Sequence, residues 1–128
     1  MSKPFVLVVD DEPDLRELVA LTLVDAGFDV DVARDGRQAL ERILARMPDV
    51  LLLDMMMPIM DGRALCEALR TNGNFPRVVV MTAADHAAQC AREVGAVGWL
   101  AKPFDIDELV LAIRAGLARP VTVESASP

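Results

Sequence analysis

Hydrophobic positions fall into short unbroken runs separated by longer stretches in which apolar residues recur every three or four places. Runs of the first kind suit buried strands and stretches of the second suit amphipathic helices, so their alternation predicts βα units around a parallel sheet. Five strands are predicted: Phe5 to Val9, Asp29 to Ala33, Val50 to Leu53, Val78 to Met81 and Val97 to Leu100. Four are continuous apolar runs or nearly so, as strands covered on both faces are. The exception, Phe28-Asp29-Val30-Asp31-Val32, alternates strictly. One of its faces should be wet, which places the second strand at a sheet edge.

Between the strands, the first helix carries Leu15, Leu18, Val19, Thr22 and Leu23 on one face and stops at Gly27. Asp35 with Gln38, and Asp105 with Glu108, have the spacing of a capping box, in which the first side chain satisfies an orphan amide and the second reaches back. The last helix presents Ile106, Leu109, Val110, Ile113 and Leu117 to the core. The fourth, expected over Asp85 to Val94, has only the thin stripe Ala87, Cys90, Ala91 and Val94, and is expected to be the least firmly held. Residues 3–118 read as one domain without internal repeats. The segment from Arg119 has no period and reads as a frayed end or the start of a linker.

Composition narrows the class. A chain of 128 residues, 53% hydrophobic and 26% charged, fits one globular domain rather than a disordered segment. Its longest apolar runs, such as Val50 to Leu53, are far short of a bilayer span. Met1-Ser2-Lys3-Pro4 leads into a brief apolar run without the length or cleavage site of a secretory signal, so a cytoplasmic location is expected. The net charge of −7 argues against nucleic-acid binding by this chain alone. Cys66 and Cys90 lack metal-ligand spacing and read as reduced helix cysteines.

The candidate chemistry lies where the apolar runs end. Asp10 and Asp11 follow the first strand, Asp54 the third, Thr82 the fourth and Lys102 the fifth. In a parallel sheet all C-terminal strand ends share one rim, and ligands bind where the strand order reverses. With strand two at an edge, strands one and three are neighbours at that reversal, and three carboxylates meet. Two like charges ~4 Å apart repel by about 4 kcal/mol at an effective dielectric of ~20, so a counter-charge is required. A hard cation such as Mg²⁺, with oxygen ligands, supplies it, and Lys102 adds a point charge suited to phosphate. Carboxylates can act as nucleophiles toward phosphoryl groups, whose oxygens need a metal, a lysine and a hydroxyl. The set suffices for phosphoryl transfer to Asp54.

Each residue alone has a plainer reading. An Asp-Asp pair after a strand is commonly a turn, Thr82 a helix cap ahead of Asp85, and Lys102 a solvated lysine. Met55, Met56, Met57 and Met60 read as packing rather than thioether ligands, and His86 as an ordinary exposed helix residue. The common rim position is what favours the joint reading.

Four segments carry a resemblance: Val8-Val9-Asp10-Asp11-Glu12-Pro13, Leu53-Asp54-Met55-Met56-Met57-Pro58-Ile59-Met60-Asp61-Gly62, Val80-Met81-Thr82-Ala83-Ala84, and Ala101-Lys102-Pro103-Phe104. Together, over roughly Lys3 to Leu117, the chain resembles the receiver domain of bacterial two-component response regulators. The resemblance implies a flavodoxin-like doubly wound (βα)5 fold with strand order 2-1-3-4-5. It implies that Asp54 takes phosphate from a phosphohistidine on a sensor histidine kinase or phosphotransfer protein. By the same resemblance Asp11, Asp54 and the backbone carbonyl of Met56 ligate Mg²⁺, with Mn²⁺ able to substitute, and Asp10 acts through bound water. Thr82 and Lys102 contact the phosphoryl oxygens, Lys102-Pro103 is cis, and Thr82 and Trp99 form the switch. Phosphorylation is then expected to shift the face around helix four, strand five and helix five in a monomer or weak phosphorylation-dependent dimer, acting on an unidentified output domain or protein.

The chain departs from many relatives at Met56 and Ala84, two residues beyond Asp54 and Thr82, where polar groups tune the lifetime of the phosphate. Neither can hydrogen-bond an attacking water through its side chain, so slow self-dephosphorylation is expected. Trp99 stands where Tyr or Phe is commoner, and Val97-Gly98 lacks the acidic residues often found there in DNA-binding regulators. Two other functions compete. A Mg²⁺-dependent phosphohydrolase uses the same aspartyl chemistry, but its general acid would stand at Met56. A phosphorylation-independent interaction module would have no need of the complete set Asp10, Asp11, Asp54, Thr82 and Lys102.

Overall fold

The computed structural model describes residues 2–120. Five strands, β1 (Phe5–Val9), β2 (Asp29–Ala33), β3 (Val50–Asp54), β4 (Val78–Ala83) and β5 (Gly98–Lys102), alternate with helices α1 (Pro13–Asp25), α2 (Gly36–Ala45), α3 (Gly62–Thr71), α4 (Ala87–Val94) and α5 (Ile106–Leu117). All strand pairs are parallel and the order is β2-β1-β3-β4-β5. The wet strand β2 is indeed an edge, with Asp31 paired to Arg42 of α2 and Asp29 to Arg46, which caps that helix's C-terminus.

Alternation of side chains along each strand divides the core into two layers. Leu7, Val9, Leu51, Leu53, Val78 and Val80 meet Ala39 and Ile43 of α2, Leu65, Cys66 and Leu69 of α3, and Cys90, Ala91 and Val94 of α4. On the other face Val6, Val8, Val50, Leu52, Val79 and Met81 meet Val19 and Leu23 of α1 and Leu109 and Ile113 of α5. Helices on both faces bury the three central strands except for Ala83 at the rim, which is why their sequences up to the rim are unbroken apolar runs.

The strands extend further than hydrophobicity indicates. β3 includes Asp54, paired with Met81; β4 includes Thr82 and Ala83, paired with Ala101 and Lys102 of β5. Backbone pairing continues past the last buried apolar residue, so the polar groups are strand residues rather than the first residues of loops. β5 correspondingly starts one residue later than expected. The fourth helix begins at Ala87, because Asp85 lies in a turn closed by a bond from the His86 amide to the Ala83 carbonyl, 3.0 Å. Thr82 therefore caps no helix.

Caps show both agreement and correction. Asp105 and Glu108 form the reciprocal box. Asp35 accepts from the Gln38 amide, but Gln38 Oε1 accepts from Arg34 rather than from Asp35, so that box is only half made. α1 ends in a Schellman motif: the Phe28 amide bonds the Leu23 carbonyl at 3.0 Å and the Gly27 amide bonds Val24 at 3.1 Å, with Gly27 at φ 101°. Leu18 and Ile106, expected in core stripes, are exposed, while Val19 and Leu23 of α1 and Leu109 and Ile113 of α5 carry the burial. The frayed end or linker expected from Arg119 onward falls mostly on residues 121–128, outside the described residues. No described helix is long and apolar enough to cross a membrane.

Candidate functional site

At the C-terminal rim, a cavity of about 390 Å³ is lined by Asp10, Asp11, Glu12, Asp54, Met56, Thr82, Ala83, His86 and Lys102. The five polar residues singled out at the strand ends are thus brought together. Asp10, Asp11 and Asp54 offer carboxylate oxygens within 4.8 Å of one another. Asp10 and Asp54 are buried and Asp11 is exposed, so the cluster has one face open to solvent.

The local chain pins these groups. Asp10 Oδ1 accepts from the Glu12 amide at 2.9 Å, and the Asp10 carbonyl accepts from Arg16 Nη1 at 2.9 Å, which ties the first turn of α1 to the rim. Lys102 Nζ bridges two carboxylates, donating to Asp10 Oδ2 at 3.1 Å and lying 3.4 Å from Asp54 Oδ2. Asp54 Oδ1 accepts from the Met56 amide at 3.0 Å. The Lys102-Pro103 peptide is cis.

Electrostatics follow from this geometry. Burial pushes the Asp54 carboxyl up to about 6, against the opposing pull of the Met56 amide and the Lys102 ammonium. Burial acts to lower the Lys102 ammonium, but the Asp54 and Asp10 carboxylates outweigh it and hold that group above its ordinary value. One lysine therefore serves a cluster of three carboxylates, and the pocket still favours added positive charge.

The loop from β3 to α3 is held rigidly. Met60 N–H bonds the Pro58 carbonyl at 2.8 Å around Ile59, whose φ is 69°, a γ-turn that a β-branched residue occupies at a strain of about 1–3 kcal/mol. The Met60 carbonyl in turn accepts from Gly36, where a Cβ would come within 2.4 Å of that oxygen. Asp61 caps α3 by accepting from Ala64.

Met56, 76% exposed, lines the cavity, and Ala84 is exposed in the turn that follows Ala83. Trp99 of β5, at 51%, is exposed and is not among the residues lining the cavity. Three contributors had no signal in hydropathy: Arg16, the Asp61 cap, and His86, which is exposed as expected, precedes α4 and also lines the cavity. For Asp61 the three-residue spacing to Ala64 was available in principle. For His86, its place four residues beyond Thr82 was the only hint. Cys66 and Cys90 are free and buried, and burial raises both thiols, Cys66 to about 12.

A family model described as the response regulator receiver domain matches residues 6–114. Response regulator MprA of Mycolicibacterium vanbaalenii is 40% identical over 116 residues, covering 89% of this chain and 50% of that protein. Response regulator ArlR of Staphylococcus saprophyticus is 36% identical over 115 residues, covering 89% and 52%. The chain spans about half the length of these curated relatives. Among solved structures, the chemotaxis response regulator CheY4 of Vibrio cholerae matches with a TM-score of 0.82 at 34% identity, over 90% of this chain and 99% of that one. The receiver domain of NtrX from Brucella abortus matches at 0.79 and 34%, over 88% and 97%. A family match across most of the sequence, on the same doubly wound fold, establishes that the chain belongs to the response regulator receiver domains of two-component signalling.

Proposed function

We propose that Asp54 accepts a phosphoryl group from the phosphohistidine of a sensor histidine kinase or phosphotransfer protein, in a Mg²⁺-dependent transfer that this domain itself catalyses. The observation that carries the proposal is the convergence of Asp10, Asp11 and Asp54 on one open-faced cavity with Lys102 already bridging two of them. The donor set is all oxygen, without histidine or cysteine ligands, which fits a hard divalent cation. Asp11, Asp54 and the Met56 carbonyl would hold it, with Asp10 acting through water, and Mg²⁺, or Mn²⁺ in its place, would neutralise charge on the transferring oxygens.

The chain's own residues do the rest. An Asp54 oxygen attacks phosphorus while the bond to the donor imidazole breaks and its electron pair returns to nitrogen. Lys102 and the Thr82 hydroxyl then meet oxygens of the phosphoryl group. Drawing Thr82 and Lys102 inward links the rim to β4 and β5, and so to Trp99 and the face formed by α4, β5 and α5. Residues 3–118 act as this unit, residues 119–128 as its tail or lead into a linker, and the setting is cytoplasmic. Output passes to a further domain or protein, the chain itself being a monomer or a weak phosphorylation-dependent dimer without direct contact to nucleic acid or membrane.

The second reading, an aspartyl-phosphate phosphohydrolase, shares the first step and lacks a general acid at Met56. Phosphate release from a small phosphodonor in the presence of Mg²⁺ separates the two. A receiver retains the first equivalent on Asp54 and releases inorganic phosphate only as slowly as the aspartyl phosphate hydrolyses; rapid continuous turnover would favour the hydrolase.

A further inference from the structure

His86 is the chain's single histidine. It stands at the N-terminal boundary of α4 but makes no side-chain bond to the helix amides. Its main chain is occupied, the amide bonding Ala83 at 3.0 Å and the carbonyl accepting from Cys90 at 2.8 Å. Its imidazole forms no hydrogen bond or ion pair among the described residues. It lines both the Asp54 cavity and an adjoining one of about 250 Å³ beneath α4, which also share Met56 and Thr82.

The other polar side chains around Asp54 have tasks. Asp10 is bound by the Glu12 amide and Lys102, Lys102 by Asp10 and Asp54, and Thr82 stands beside the acceptor. Glu12 belongs to the Asp10–Asp11 side of the cavity, next to the open carboxylate. Met56 and Ala84 cannot hold a water through their side chains. On the side of the cavity shared with Met56 and Thr82, once the Thr82 hydroxyl is given over to a phosphoryl oxygen, the His86 imidazole is the polar side chain that remains to hold a water.

We propose that His86 holds the water that hydrolyses the phosphorylated Asp54, and so sets how long the signal lasts. This rests on the reading of Asp54 as phosphoacceptor. The imidazole, lining the same cavity as Asp54, accepts a hydrogen bond from water and aims its oxygen at phosphorus. Water attacks phosphorus, and the bond from phosphorus to the Asp54 oxygen breaks with its electron pair left on the carboxylate. Both water protons leave on inorganic phosphate, which then equilibrates with solvent.

The test uses the full chain, phosphorylated with acetyl phosphate and Mg²⁺, freed of donor by desalting and followed by intact mass. His86→Ala should keep its phosphoryl group about tenfold longer than wild type, the loss expected of one oriented hydrogen bond. His86→Gln, which restores a polar group at similar reach, should return the lifetime to within about threefold of wild type. Equal or shorter persistence in His86→Ala overturns the proposal, as does a His86→Gln protein as long-lived as His86→Ala, since polarity would then not matter. Wild type that takes up no phosphoryl group overturns the Asp54 reading itself, and this proposal with it.

Discussion

At Asp54 burial and attraction oppose one another. Burial raises the carboxyl to about 6, while Lys102 and the Met56 amide favour the anion without fully cancelling that effect. A folded-state value above the ordinary 3.8 means that the folded state holds its proton more tightly than the unfolded state between those two pH values. Stability from this group is therefore present below about pH 4 and lost as pH rises through about 6. In chelator-treated protein, Asp54→Asn should gain most over wild type above pH 6, and the gain should shrink as pH falls toward 4. Urea titrations at several pH values measure it, and a pH-independent difference would show that burial does not dominate. Nearby, Ile59 pays for its left-handed backbone without burying its side chain, so Ile59→Gly should stabilise the fold by about 1 kcal/mol, read as a shift of the urea midpoint. Beyond Asp54 and Thr82, Met56→Asn with Ala84→Glu supplies two water-holding groups and should speed loss of the phosphoryl group. An unchanged or slower rate would refute the lifetime role of these positions.

Among the elements, α4 is held by small residues. Its buried stripe is Ala87, Cys90, Ala91 and Val94, and no side chain caps its start, whereas α5 buries Leu109 and Ile113 behind a full capping box. Amides of residues 87–94 should therefore exchange with solvent faster than those of 106–117, and comparable protection would remove α4 as the yielding part of the switch face. α3 depends on the Asp61 cap, so Asp61→Ala should cost about 1 kcal/mol, measured by thermal unfolding. Element type was legible because apolar runs and helical stripes are forced by burial; the alternation of β2 even gave its place at the edge. Element ends were less so. Asp54, Thr82 and Lys102 extend their strands through backbone pairing, which no side-chain pattern records, and Leu18 and Ile106 fit the helical period yet stay exposed. At the site, charged groups at strand ends were visible in the sequence. His86 and Arg16 were not, since one arrives from a turn and the other acts on a backbone carbonyl.

For the whole molecule, strand order converts residues far apart in sequence into one site. With β1 between β2 and β3, Asp10, Asp11 and Asp54 face each other, and β5 delivers Lys102 from the far end of the chain. The same sheet connects that rim to Trp99, which lies in β5 three residues before Lys102. Phosphorylation should therefore change Trp99 fluorescence, and an unaltered spectrum would count against its part in switching. That link matters only if Asp54 is the acceptor, for which intact mass after incubation with Mg²⁺ and acetyl phosphate is the most direct measurement. One added phosphoryl group per chain, lost on chelating Mg²⁺ beforehand and absent in Asp54→Ala, is the expected result; an unchanged mass, or the same gain in Asp54→Ala, would contradict it.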